Sequence, residues 1–462
     1  MPRPASEGAI KPSQTALPDC NIGSRRRLCC AVVFLGVVSA TPFVQAAEYD
    51  YGIGFSLAHD DNITRVPNDP RSEWTRTLMG RIGFQENSVD LQARIAVQVE
   101  HRNFVNNAYP DDTAVYANGL VLWNIVPREF TWILENVARK LRVSLTTPDT
   151  PANNAQTNSL NTGPEYTLRF NSTDSFVVGA GYGRFDIAGP GDSQRYSAYG
   201  GWLHRLSTPT TFSLNIQGRH TDFDQPSLFT TSNRVDLFAR YDVSSTPTIA
   251  TLDLGVTSIN PNPGDGVQGP LIRFSVQRQA TSDSVVRLYL SDQILDTYTD
   301  LIQSVTGPTG STVQGSVAFT NPATPDLYHS QRADVTYEVT PGGRIWYTLQ
   351  GYAGRIDYEH LIQDYNERGL KFTWTWFFAG STRFRAYADT VRRTFTNFYE
   401  VDTERNTLLD LTYLLSNNTN VTLEYGRFSR DSTNASTSFV DNRVLVLLSY
   451  TSGTIGLVQS RQ

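Results

Sequence analysis

Six histidines and their acidic neighbours are the first residues that could do chemistry: His59, His101, His204, His220, His329 and His360. His59 is followed by Asp60 and Asp61, and His220 stands two residues before Asp222. A histidine next to a carboxylate can serve as a general base, which would suit a hydrolase. No specific spacing supports that chemistry, because neither His-Glu-x-x-His nor a glycine-rich phosphate loop occurs. Asp60, Asp61 and Asn62 offer oxygens to a hard cation, but three such side chains are too few to define a site. The sequence therefore reads as a non-enzyme with no catalytic residues, bound metal or cofactor. A hydrolase using the histidine and aspartate residues is the alternative.

Arginine forms a larger set. Arg81, Arg94, Arg273, Arg287, Arg332, Arg383 and Arg385 alternate with apolar residues along extended segments, as do Asp90, Asp334 and Asp389. Trp346 and Tyr352 share that polar phase. Arginine presents a planar fork that pairs with carboxylates, so such a face can be braced by ion pairs. The same residues can line a pore that steers anionic solutes or sugar chains, with rings to stack on sugar faces. These twelve residues are the candidate pore lining.

The elements that carry them are strands. Val89, Leu91, Ala93, Ile95, Val97 and Val99 alternate with Asp90, Gln92, Arg94, Gln98 and Glu100. Successive side chains of a strand point to opposite faces, so this strand is apolar on one face and charged on the other. Asn87-Ser88 joins it to a similar strand that contains Arg81. From Tyr49 onward, segments of roughly 10 to 13 residues recur between turn signals. Short breaks (such as Pro127-Arg128 and Pro341-Gly-Gly343) alternate strictly with long ones (such as Asp60–Arg71 and Thr146–Asn158). A sandwich has no reason to sort its loops by parity, whereas a barrel crossing a membrane has tight turns on one rim and long loops on the other. The expected fold is all-β: a transmembrane up-and-down antiparallel β-barrel of about 18–20 strands, with short periplasmic turns and long extracellular loops. Two segments fit less cleanly. Leu120 and Leu122 fall on the polar face, and the phase near Asn136 suggests a bulge.

One long break stands apart. Leu295–Leu327 spans 33 residues without Lys or Arg and includes Asp296, Asp300 and Asp326. We expect this loop to fold into the barrel mouth, with its carboxylates facing the arginine wall as a constriction; an outward hairpin extending Ile302–Thr306 and Ser311–Val317 is the alternative.

Composition sets the compartment. Arg25-Arg26-Arg27 precede an apolar run, and Val44-Gln45-Ala46 supplies small residues for cleavage, so residues 1–46 read as a signal peptide and 47–462 as one barrel domain. Cys20, Cys29 and Cys30 all leave with that leader, which excludes a disulfide scaffold or a thiolate site in the mature chain. The mature chain carries 34 basic and 43 acidic residues, or −9, without a basic stripe, so nucleic acid is not an expected partner.

The mature N-terminus, YDYGIGFSLAHDDNITRVPN, pairs an aromatic-glycine strand with Asp61-Asn62-Ile63. In this it resembles the outer-membrane β-barrel porins of type two, bacterial proteins associated with exopolysaccharide and exosortase systems. The resemblance implies a bacterial outer-membrane channel serving exopolysaccharide export or the passage of bulky solutes. Its partners would be outer-membrane lipid, the barrel-assembly machinery and polysaccharide cargo. A plugged structural or adhesive barrel is the other alternative.

Overall fold

The computed structural model describes residues 47–188, 191–224, 230–296 and 326–453. The expected leader, residues 1–46, lies outside them. Twenty strands follow in chain order. They are β1 (Glu48–Asp60), β2 (Glu73–Asn87), β3 (Leu91–Phe104), β4 (Asp112–Val126), β5 (Phe130–Arg142), β6 (Asn154–Arg169) and β7 (Asp174–Ile187). Next come β8 (Ser193–Ser207), β9 (Thr210–Phe223), β10 (Thr231–Ser245), β11 (Thr248–Asn262), β12 (Val267–Thr281), β13 (Ser284–Asp296) and β14 (Leu327–Val339). The chain continues through β15 (Ile345–Tyr358), β16 (Tyr365–Ala379), β17 (Thr382–Phe395), β18 (Val401–Leu414), β19 (Thr419–Ser432) and β20 (Phe439–Thr451). Each strand pairs antiparallel with its sequence neighbours, and β1 closes on β20 from Gly52–Thr451 to Asp60–Arg443. The protein is thus a closed all-β up-and-down barrel of the transmembrane type. Closure leaves no strand edge unpaired.

Alternation decides which side chains meet across the lumen. Arg142 on β5 reaches Glu404 on β18, two strands that are not neighbours in the sheet. The face bearing Glu404 is therefore the inner one. The opposite face carries exposed apolar residues: Ile53, Phe55 and Leu57 on β1, Leu370, Phe372 and Trp376 on β16, Leu409 and Leu411 on β18, and Val444, Val446 and Leu448 on β20. So broad an apolar surface is costly in water and favourable against lipid tails. Among the described residues no helix is long and apolar enough to cross a membrane. The strands, at 13 to 16 residues, exceed the roughly 9–11 that a tilted strand needs.

Outward aromatic pairs gather near the short-turn rim: Trp123 opposite Trp132, Phe130 opposite Tyr166, Trp202 against Phe212, Tyr337 against Tyr347, Trp374 against Phe384, and Tyr51 against Tyr450. Amphipathic rings favour the headgroup level of a bilayer, and paired rings add cross-strand contact. The register shifts at Asn124/Val126, Arg205/Ser207, Gln279/Thr281 and Phe377/Ala379 lie beside the short turns as well.

Two local expectations are corrected. Val89 and Asp90 belong to the turn, because the Ser88 N–H and hydroxyl both donate to the Leu91 carbonyl and close it one step later. Asp90 is therefore exposed at the short-turn rim and does not line the lumen. No bulge occurs at Asn136: it pairs with Gly119 and Leu160 in register and donates outside the barrel to Asn158 at 2.9 Å. Leu120 and Leu122 do share the inner phase, opposite Arg94 and Gln92.

Glycines let large rings lie flat on the inner wall. Tyr352 sits opposite Gly369, and a Cβ there would fall 2.3 Å from Cζ of the ring. Tyr199 covers Gly179 in the same way and donates its hydroxyl to Glu165 at 2.7 Å on the strand beyond. Each ring thereby spans three strands. Gly369→Val should destabilise the barrel by about 1–3 kcal/mol through overpacking, read as a lower urea midpoint in detergent. Adding Tyr352→Ala should recover most of the loss; equal stability of the single variant and wild type would refute this account.

Candidate functional site

The mouth at the long-loop rim is crossed by the segment between β5 and β6. The β4–β5 ladder stops at Ala117–Ala138, although β5 runs on to Arg142 paired with β6. Gln156 of β6 then bonds both the N–H and the carbonyl of Val115 on β4, at 3.0 and 2.8 Å, replacing the vacated ladder. The hairpin tip is thereby free to lean into the lumen. Leu145 packs against Leu295, Tyr328, Ile356, Tyr358, Tyr365 and Phe395 on the inner wall of β13–β17. Burying such a side chain stabilises the docked segment by roughly 1.5–3 kcal/mol.

The segment is knotted internally by one residue. Asn153 donates its amide to the carbonyls of Ser144, Thr147 and Pro148 at 2.8, 3.1 and 3.0 Å, and accepts from the Ser144 N–H at 3.0 Å. Arg65, from the loop after β1, donates to the Asp149 carbonyl at 2.6 Å and pairs with Asp441 at 3.2 Å. Its guanidinium lies over Phe428 and Phe439.

A buried charge cluster fixes the segment to the far wall. Arg142 pairs bidentately with Glu404 at 2.9 and 3.2 Å. Glu404 also receives Arg393 at 3.1 Å, and Arg393 pairs with Glu367 at 2.6 Å. Arg430 is fully buried; it bonds Asp402 and donates to the carbonyls of Leu145 and Thr146 at 3.1 and 2.8 Å. Buried charges survive only when paired and hydrogen-bonded, and here three arginines surround one glutamate, Arg430 lying 3.6 Å from Glu404. Glu400, in the loop before β18, accepts from Ser432 at 3.1 Å. Burial, with Asp402 beside it, holds its carboxyl above the usual glutamate range.

A second inward contact comes from the roots of the β13–β14 loop. Asp296 pairs with Arg195 on β8 at 2.8 Å, and Arg234 on β10 donates to the Ile294 carbonyl at 2.7 Å. Ile294 and Leu327 pack on Ile259. Asp326 instead turns to the next loop, accepting from the N–H groups of His360 and Leu361 at 3.2 and 2.9 Å. Asp300 lies outside the described residues.

Most of the sequence-predicted arginines sit on the inner wall in ladders. Arg273 and Arg240 flank Asp253 at 2.9 and 2.6 Å. Arg287 pairs with Glu338 at 2.7 Å, Arg332 faces Asp334 at 3.8 Å, and Arg385 bonds Asp410. Arg383 donates to Thr412 at 3.3 Å, Arg81 bonds Thr451, and Asp389 accepts from Asn406 at 3.3 Å. Arg94 is exposed in the inner phase toward the short-turn rim. Trp346 packs edge-on against Phe377 with centroids 5.3 Å apart, and Lys371 lies over Tyr352.

The sequence reading missed Arg142, Arg393, Arg430, Glu367, Asp402 and Glu404. All except Arg142 obey the inner phase, so alternation marked them as lumen residues without showing that they converge. Arg142 breaks the phase of β5, and it does so where the hairpin leaves the wall.

Of the two histidine–aspartate sets read from the sequence, the structure divides one and keeps the other together. His59 packs at a tilt against Trp74 on the outer face, centroids 4.7 Å apart, while Asp60 is on the inner one. His220 bonds Asp222 at 3.0 Å and Asn233 at 2.7 Å, on the outer face of β9. Among the described residues no group of three or more His, Cys, Asp or Glu could hold a metal ion.

No protein-family model and no curated protein matches the chain. Among solved structures, the FrpB iron transporter from Neisseria meningitidis (F3-3 variant) is 10% identical, with 87% of this chain and 81% of that one covered and a TM-score of 0.46. OccK2 (OpdF) of Pseudomonas aeruginosa, in complex with glucuronate, is 10% identical over 88% and 97%, with a TM-score of 0.40. A loop-deletion mutant of OmpT, an outer membrane protein of Vibrio cholerae, is 11% identical over 88% and 100%, with a TM-score of 0.35.

Glu404→Gln removes the shared anion and should cost about 3–5 kcal/mol locally. Hydrogen exchange should show faster exchange for residues 143–153 while wall strands keep their protection; unchanged exchange would exclude the clamp. Glu400→Gln acts in the opposite direction. Its raised carboxyl pKa means that folding binds a proton more tightly, so stability falls as pH rises through the folded value. The variant should therefore be more stable than wild type at neutral pH and equal to it below the ordinary glutamate range. Urea midpoints across pH test this.

Proposed function

We propose that the protein is a passive channel of the bacterial outer membrane, with its long loops facing outward and its mouth narrowed by residues 143–153. The observation that carries this reading is the two-faced wall around a lumen that, among the described residues, is crossed at the long-loop end. The outer face suits lipid, and the inner face is polar and charged. At the mouth, Arg142–Glu404 and the grip of Arg430 on the loop carbonyls hold a segment that belongs to neither wall. A barrel built only for rigidity has no need of it.

Bulky, sugar-like or anionic solutes are the cargo class, including exopolysaccharide. Arg94 and Trp346 support this, being exposed inner-phase side chains toward the short-turn rim. Arginine attracts anions, and rings stack on sugar faces. The twelve wall residues, with Asp90 excepted, are the proposed pore lining, and Asp296, Asp300 and Asp326 contribute to the mouth. Residues 1–46 act as the cleaved leader, and insertion depends on the barrel-assembly machinery and on outer-membrane lipid.

A resting, plugged barrel is the second reading. It is favoured by the depth at which Leu145 and Arg430 are buried. Planar-bilayer recordings separate the two. Under the channel reading wild type conducts, and deleting residues 144–152 raises single-channel conductance severalfold. Conductance only after the deletion would make the segment a plug. Absence of conductance in both forms would overturn the channel.

A further inference from the structure

The outer surface carries a feature that a channel does not require. Five consecutive strands each present an exposed arginine toward the long-loop rim: Arg355 on β15, Arg368 on β16, Arg392 on β17, Arg405 on β18 and Arg427 on β19. Directly paired residues share a face, and the pairs Arg355–Asn366, Arg368–Arg392, Thr390–Arg405 and Thr407–Arg427 place all five on the outer one. Arg355 pairs with Asp357 at 2.8 Å, Arg405 bonds Asp431, and Arg427 donates to Asn442 at 3.1 Å. Arg368 and Arg392 have no ion-pair or hydrogen-bond partner among the described residues, yet they face each other across the ladder.

Like charges directly opposite destabilise a sheet, and their Cβ atoms lie only about 5 Å apart. An anion between them removes that penalty, and a phosphate matches the arginine fork. Beneath the pair, on the same face, the surface becomes apolar: Leu370 and Phe372 on β16, Ala388 and Phe384 on β17, Leu409 on β18, and Leu423 on β19. A lipid arranges its own groups in that order, phosphate above acyl chains. The patch is bounded by neutral outward residues, Gln331 on β14 and Asn442 on β20.

We propose that Arg368 and Arg392, flanked by Arg355, Arg405 and Arg427, form a binding site for the headgroup phosphate of a membrane lipid: the phosphorylated glycolipid of the leaflet on the long-loop side. This rests on the membrane orientation proposed above, but not on conduction.

The test uses the mature protein in neutral detergent, titrated with bis-phosphorylated lipid A and followed by native mass spectrometry. Dephosphorylated lipid A should bind at least about tenfold more weakly, and R368Q/R392Q should lose a similar factor for the phosphorylated form. R368K/R392K, which keeps the charges but not the forks, should bind more weakly than wild type and more tightly than R368Q/R392Q, and R278Q, on the outer face near the short-turn rim, should match wild type. Equal binding of the two lipids, undiminished binding by R368Q/R392Q, or an equal loss in R278Q would overturn the site. Complete displacement by millimolar inorganic phosphate would also overturn it, by assigning the arginines to a free anion. Lipid binding by a protein that does not conduct would overturn the channel reading and leave this one standing.

Discussion

The mouth of the barrel depends on one glutamate. Glu404 lies between Arg142, which arrives on the hairpin tip from across the lumen, and Arg393, which belongs to the neighbouring strand. Such a cluster is a poor source of net stability, since desolvation offsets much of the Coulombic attraction. Its physical effect is selective instead. Any arrangement that removes Arg142 leaves a buried carboxylate with less compensation, so the hairpin has one favoured position. Arg430 adds to this by bonding the backbone carbonyls of Leu145 and Thr146, which have no ladder partner once the hairpin leaves the wall. Leu145 then places apolar surface in a pocket of aromatic and aliphatic residues. Charge fixes the position, and burial supplies the attraction.

The rest of the inner wall is stiffened by different means. Carboxylates bridge arginines on adjacent strands, as Asp253 does for Arg240 and Arg273. Tyr352 and Tyr199 lie across glycines and reach a third strand. These contacts resist shear between strands without entering the middle of the lumen. Bracing therefore occupies most of the wall charge, and the contacts that narrow the mouth come from loops and hairpin ends.

The outer surface is ordered by depth. Aromatic pairs mark the short-turn rim, aliphatic residues fill the middle, and one sector near the long-loop rim is cationic. Polar termini and apolar centres follow from the dielectric profile of a bilayer. A run of five outward arginines on successive strands does not follow from that profile, since a headgroup layer surrounds the barrel evenly; elsewhere at this rim an exposed outward arginine stands singly, as Arg76 does on β2.

Alternation along each strand was sufficient to determine the barrel. Apolar and polar side chains repeat with period two, loops alternate in length, and both patterns are local, so the strand order and the inner phase of Arg81, Arg273 or Arg385 could be read directly. The turn at Ser88–Asp90 needed hydrogen-bond geometry, because a strand pattern continues through Val89 without a break. The mouth could be read only in part: Asp296 does meet an arginine of the wall, Arg195. Length and acidity drew attention to 295–327, yet the described crossing is made by 143–153, a segment of ordinary composition. Arg142 and Glu404 are 262 residues apart, on strands that are not neighbours, and nothing local in either links them. Periodicity assigns a side chain to a face; only closure of the barrel brings opposite walls within reach of each other.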